Sequence, residues 1–173
     1  MTTPTLPSPR IRLNTCEAFF AKLKWEYDLL QIDWSEYHSF NFVITANHLY
    51  KDWIEKAGNP NQIARKGVMR THTLGDRLFH TLRDIANATK HWELTGHSLK
   101  NQIVSEVSEP QIADYYAYFI AGDVLYVTVG TSRPSMPEIA DMAVKCLDWI
   151  LNGTDQTIPQ DIDNGLKIIF RPL

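Results

Sequence analysis

The segment from Thr73 to Gly96 constrains this chain most. Leu74, Leu78, Leu82, Ile85 and Trp92 recur on one side of a 3.6-residue repeat. Thr73 and Asp76 have the spacing of an N-terminal capping pair, so the pattern predicts a helix over 73–95. At about 100° per residue, His80, Arg83, Asp84, Asn87 and His91 fall within about 60° of one line on the opposite side. An apolar stripe of this length must be covered by other elements, and its polar back is the first place to look for chemistry.

Three further helices are predicted to supply the cover. Asn14 and Glu17 mark a start, and Cys16, Phe20, Leu23, Tyr27 and Leu30 then recur at helical steps, giving helix one over 15–32. Helix two runs from Ser35 to Ala57, where Gly58, Asn59 and Pro60 stop it. The helix over 73–95 is the third. Ser135, Pro137 and Glu138 open helix four, whose stripe of Ile139, Met142, Ala143, Cys146, Leu147, Ile150 and Leu151 ends at Gly153.

Between helices three and four the chain turns β-branched and aromatic at 103–107, 115–120 and 124–129, with Gly122-Asp123 at a reversal, which predicts a small antiparallel meander over about 102–129. Leu166 to Phe170 reads as one more strand after an Asp163-Asn164-Gly165 turn. Residues 59–72 show no apolar period; Asn59 and Pro60 can start one helical turn, and the rest reads as a loop carrying Arg65, Lys66 and Arg70. Pro4, Pro7 and Pro9 make residues 1–13 a loose arm. The expectation is an α+β fold, one domain over 14–173, with a bundle of about four helices and the meander inserted between the third and fourth.

Composition narrows the function classes. At 173 residues the chain is close to the ~150-residue prior for one domain. Its longest apolar run, Tyr115 to Ala121, is far short of the ~20 residues of a bilayer span, and its start has no apolar core for a signal peptide. A cytoplasmic protein with no membrane contact is expected. Cys16 and Cys146 are the two cysteines, both on helical stripes, so they read as core thiols and not as a disulfide framework or zinc site. A net charge of −3 argues against a broad grip on duplex nucleic acid but leaves room for a local site on a single strand.

The polar faces carry the functional signal. A merely solvated helix face tends to hold Lys, Glu and Gln; the back of helix three holds His, Arg, Asp and Asn, which favour helix less or titrate near neutrality. Helix two repeats the pattern, with Asn41, Thr45, His48 and Asp52 within about 40° of one line. If the two helices pack as neighbours, these stripes can converge into a cleft; otherwise they brace or decorate the bundle.

Two chemistries could use such groups. His48 with Asp52, and His80 with Asp84, have the four-residue spacing that lets two side chains reach one metal ion, although no Glu-x-x-His pair is present. Alternatively, a histidine can deprotonate a ribose 2′-hydroxyl while an arginine grips the phosphate at two points, chemistry that needs neither metal nor cofactor. Phosphate-binding loops, dinucleotide fingerprints and nucleophile elbows are absent, and Asp161-x-Asp163-Asn164-Gly165 lacks the rest of a calcium loop.

The nonapeptide RDIANATKH, Arg83 to His91, resembles the Arg-polar-spacer-His motif of HEPN domains, with seven residues between the Arg and the His, a longer spacing than is usual there. The resemblance covers nine residues. It implies a helical-bundle, metal-independent endoribonuclease of toxin–antitoxin or antiphage type, acting as a homodimer whose motifs meet across a two-fold axis. Arg83 and His91 would be the main catalytic pair, Asp84 the polar residue after the Arg, and Asn87 a motif position. A protein antitoxin or defence partner and a single-stranded RNA substrate are implied as well. Relatives without nuclease activity are common in that family, so a non-catalytic protein-binding domain is the alternative, and a metal-binding bundle the third reading.

Arg83 and His91 lie about 12 Å apart along the helix, too far to grip one phosphate from one helix. A second helix must complete the site: the same helix of a symmetry mate, or helix two with Asn41, His48 and Asp52. His80 and Lys90 would support it. Arg65, Lys66 and Arg70 would draw RNA towards it or serve as solubilising surface.

Overall fold

The first helix, α1 (Cys16–Ile32), starts where the Thr15 hydroxyl accepts from the Ala18 N–H at 3.1 Å, so Thr15 is the capping residue and not the Asn14 expected. The computed structural model describes residues 13–33, 35–91, 102–108 and 124–172, apart from the side chains of residues 89–91. The next rod is α2 (Glu36–His48), a π-helical turn (Leu49–Trp53) and α3 (Ile54–Ala57) in succession. It occupies the span expected for helix two, with the wider turn as an unforeseen feature.

Residues 60–71, expected as a loop, form helix α4 (Pro60–Thr71). Asn59 and Gln62 make a reciprocal capping box, with Pro60 in the first turn where its missing N–H costs nothing. The buried face consists of Gln62, Arg65, Lys66 and Met69, at helical spacing but with only one apolar member. That is why an apolar period was not visible.

Helix α5 (Thr73–His91) follows, and Leu78, Leu82 and Ile85 are fully buried or nearly so, as the stripe required. Its N-terminus is capped from outside the expected pair: His72 Nδ1 accepts from the Gly75 N–H at 3.1 Å. Residues 92–95 of the expected helix, the strand expected over 115–120 and the Gly122-Asp123 reversal lie outside the described residues.

Strands β1 (Val104–Ser108) and β2 (Tyr126–Val129) pair antiparallel, from Val104 opposite Val129 to Ser108 opposite Tyr126, with an irregularity between Val104 and Glu106. The other edge of β2 is met by residues 132–135, through Val127 N–H to Pro134 C=O and Val129 N–H to Ser132 C=O, both at 2.9 Å. Gly130, at φ 61°, allows that reversal.

Helix α6 (Met136–Asn152) opens on the Ser135–Glu138 capping box and buries Ile139, Ala143, Cys146, Leu147 and Ile150. Burial pushes the Cys146 thiol up to about 12, which keeps it protonated and inert. The tail is helix α7 (Gln160–Ile169), not a turn and strand: Ile162, Leu166 and Ile169 face inward at helical spacing. Gly165 lies inside this helix because a Cβ there would sit 2.5 Å from Met142 Sδ, so its absence lets α7 approach α6.

The described residues thus form a mostly helical fold of six rods, taking α2, the π turn and α3 as one, with a two-stranded sheet between α5 and α6 in chain order. A single apolar core joins α1, α2, α5 and α6, into which β1, β2 and α7 also pack. Among the described residues no helix is long and apolar enough to cross a membrane.

Candidate functional site

Helices α2 and α5 are neighbours, and α4 packs against α5. Where the π turn, α4 and α5 meet, a cleft of about 190 Å³ is lined by Asn47, Tyr50, Lys51, Glu55, Lys66, Arg70, Asp76, Phe79, His80 and Arg83. Four permanent cations face two carboxylates there, although the whole chain carries −3.

The floor is aromatic and tightly built. Tyr50 stacks on Phe79 with ring centroids 3.6 Å apart and an interplanar angle of 5°. Over the Tyr50 ring lies the Lys66 ammonium, 4.9 Å from the centroid. Lys66 is itself buried, donating to Glu55 at 2.7 Å and to the Lys51 carbonyl at 3.3 Å. The hydrogen bond from Lys66, and then its charge, hold the Glu55 carboxyl below its ordinary value. The Tyr50 hydroxyl is buried without a hydrogen-bond partner among the described residues, and burial, with Asp76 nearby, drives its proton affinity well above the usual tyrosine value.

On α5, Arg83 is held from below. Asp84 Oδ1 accepts from its Nε at 3.0 Å and its Nη2 at 2.7 Å, while Oδ2 accepts from the backbone N–H groups of Ile103 at 2.7 Å and Val104 at 3.3 Å. Asp84 is buried and carries four hydrogen bonds: it fixes Arg83 and anchors β1. His80, half-exposed, points its Nε2 to within 3.7 Å of Asp76. Arg70 and Lys51 contrast with these. Neither side chain makes a hydrogen bond or ion pair with a described residue, and both line the cleft.

The structure therefore brings His80 and Arg83 of the expected site together, with Arg70 and Lys66 from α4. Asn41, His48 and Asp52 do not line the cleft: Asn41 is exposed on α2, and His48 Nδ1 pairs with Asp52 at 3.0 Å. Asn87 is half-buried on α5. The side chains of Lys90 and His91 lie outside the described residues.

Arg65 is neither loop nor solubilising surface. Buried, it donates to the carbonyls of Ile150 at 2.9 Å and Leu151 at 3.2 Å, closing the C-terminal end of α6. Lys66 is likewise buried. Among the described residues no three His, Cys, Asp or Glu side chains assemble as metal ligands. The His80 and Asp84 pair expected to chelate is divided, because Asp84 is committed to Arg83 and β1.

Asn47, Tyr50 and Lys51 were not anticipated. Asn47 is in the last turn of α2, about 120° away from the Asn41 line at a uniform helical step, and Tyr50 and Lys51 are in the π turn, which breaks that step. A lysine next to an aromatic at the end of a long helix was the available signal. No family model matches this sequence, and no curated protein or solved structure is significantly similar to it.

Proposed function

We propose that the chain is a HEPN-like, metal-independent endoribonuclease of the cytoplasm, acting on single-stranded RNA as a homodimer in a toxin–antitoxin or defence setting. One observation supports it above the others: Arg83, from the motif, opens into the same cleft as Arg70 and Lys51, two cations with no partner among the described residues. A phosphodiester is the group such a cluster suits, since guanidinium can grip it at two points and ammonium adds charge.

In this reading Asp84 is a positioning residue. It orients the Arg83 guanidinium, and its tie to β1 makes that orientation part of the fold. His91 is the acid–base group that the motif supplies, with the second subunit completing its end of the helix; His80 is the imidazole beside the phosphate. RNA cleavage by this chemistry runs through attack of the 2′-oxygen, its proton taken by an imidazole, on the adjacent phosphorus; the P–O5′ bond breaks, the 5′-oxygen leaves protonated as a 5′-hydroxyl, and the other fragment keeps a 2′,3′-cyclic phosphate.

The test is cleavage of single-stranded RNA in EDTA. Wild type is expected to cut and to leave the cyclic end. His91→Ala is expected to lose about 10²–10⁴ in rate, and Arg83→Lys to be impaired, because the ammonium lacks the planar fork. Circular dichroism must show both variants folded. Cleavage that persists in His91→Ala, or that needs added metal, contradicts the mechanism.

A second reading, a non-catalytic protein-binding domain, is favoured by one other feature. Trp25 and Ile32 lie two turns apart on α1, and Tyr37 opens α2; Ile32 and Tyr37 are 84% and 82% exposed. Large apolar side chains displayed in this way suit a protein partner. Inactivity on varied RNAs, together with a stable complex through this face, would select it.

A further inference from the structure

We infer that Asn47 sets the specificity of the cleft by reading a hydroxyl beside the bound phosphate, so that the site takes ribose phosphates in preference to their deoxy counterparts. The inference rests on the phosphate-binding reading above.

Asn47 lies in the last turn of α2 and is only 8% exposed, yet it lines the cleft. Its amide makes no hydrogen bond with any described residue. Position 47 is a poor place for asparagine on local grounds. It follows the buried Val43 and Ala46 and precedes the buried Leu49, in a helix interior where alanine or leucine would favour helix more and bury no polar group. A side chain that weakens the helix and finds no partner among the described residues is explained by a partner from outside them.

The surroundings limit what that partner is. Both faces of Tyr50 are taken, one by Phe79 at 3.6 Å and the other by the Lys66 ammonium at 4.9 Å, so no open ring is offered to a nucleobase. The space of about 190 Å³ has room for a fragment on the scale of one sugar–phosphate unit. Arg70 and Lys51 supply charge for the phosphate. They can only donate, and Glu55 and Asp76, when ionised, can only accept. Tyr50 and His80 also carry a donor and an acceptor, but the Tyr50 hydroxyl is fully buried and His80 turns its Nε2 towards Asp76; the Asn47 amide is the neutral group that holds a donor and an acceptor side by side, the complement of a hydroxyl. In a nucleic acid the hydroxyl beside the phosphate is the 2′-OH, the group that separates RNA from DNA. The cleft thus reads the sugar–phosphate chain and not the base.

Fluorescence anisotropy tests this with labelled strands of about ten nucleotides, oligo(U), its 2′-O-methyl form and oligo(dU), every protein carrying His91→Ala so that the RNA is not cut and being otherwise wild type or Asn47→Ala. Wild type is expected to bind oligo(U) about tenfold more tightly than oligo(dU), as one well-placed hydrogen bond allows. The 2′-O-methyl strand should bind like DNA, a comparison that needs no variant. Asn47→Ala should keep the affinity for oligo(dU) and bring the RNA preference to within about twofold. Equal binding of oligo(U) and oligo(dU) by wild type, or an undiminished preference in a folded Asn47→Ala, overturns the assignment while leaving phosphate binding intact. Failure of wild type to bind any of the three strands overturns the phosphate reading and this inference together.

Discussion

Helices α4 and α6 begin with the same device and bury opposite kinds of surface. Each opens on a reciprocal capping box with proline in the first turn. Helix α6 then turns a stripe of Ile139, Ala143, Cys146, Leu147 and Ile150 inward, and excluded water holds it in place. Helix α4 turns Gln62, Arg65, Lys66 and Met69 inward and is held by directed bonds: Gln62 and Arg65 to the last carbonyls of α6, Lys66 to the carbonyl of Lys51. A helix end leaves carbonyls that need donors, so an element packed against one is best built from long stems with cationic heads. Following that face one turn further brings Arg70 to the cleft with no internal acceptor left to satisfy. The same polar face that serves the fold at Arg65 becomes available to a ligand at Arg70.

The contrast can be broken by mutation. Leu147→Ala, in the apolar stripe, should cost about 2–5 kcal/mol in urea unfolding, as a cavity does; a cost near zero would mean α6 is not held by area. Arg65→Met keeps the length and greasiness of the stem and removes the donors. It should still cost about 1.5–3 kcal/mol, because it strands the carbonyl of Ile150 and leaves that of Leu151 to Gln62 alone. A neutral outcome would mean that α4, like α6, needs only apolar bulk.

That contrast also explains how far the sequence could be read. Leu78, Leu82 and Ile85 on α5, and the Ser135–Glu138 start of α6, announce themselves because burial there is apolar and the cap is local. Helix α4 is invisible to the same reasoning, since Arg65 and Lys66 are buried along their whole length, heads included, yet count as charged residues. In α7 the apolar spacing of Ile162, Leu166 and Ile169 was present, but Gly165 resembled a turn when its role is contact with Met142. His80 and Arg83 were legible as members of a polar stripe. Asn47 was not, because it lies off the polar line of α2 beside the buried Ala46, and Tyr50 and Lys51 were not, because a π turn sets their direction; the α4 wall that makes the three a cleft is in no wheel of α2.

Smaller effects sharpen the comparison at the cleft and at α7. Tyr50→Phe removes a buried hydroxyl that has no partner, so it should leave stability at pH 7 unchanged or slightly raised. Folded Tyr50 holds its proton above the ordinary value of 10.0, so the unfolded chain loses that proton first and stability falls as pH rises past that value. In Tyr50→Phe this part of the alkaline slope should vanish; an unchanged slope would place the titrating group elsewhere.

The smallest effect is expected at Asp163, whose carboxyl is held below its ordinary value of 3.8, first by the hydrogen bond from Lys167 and then by the charges of Lys167 and His72. Its contribution is present above that value and is lost as pH falls below it. Asp163→Asn should flatten the acid limb of a pH–stability curve slightly, and a steeper limb would contradict the assignment.

Titration of labelled single-stranded RNA with the wild-type cleft and with Arg70→Glu, both in a chain carrying His91→Ala so that the RNA is not cut, tests the cleft most directly. Arg70 is exposed and its side chain makes no hydrogen bond or ion pair with a described residue, so the variant should melt within a degree or two of wild type. Wild type should bind in a salt-dependent way, and Arg70→Glu should bind about tenfold or more weakly, with a shallower salt dependence because a phosphate contact has been lost. No binding by wild type, or equal binding by the two proteins, would contradict the claim that this cleft receives the RNA backbone.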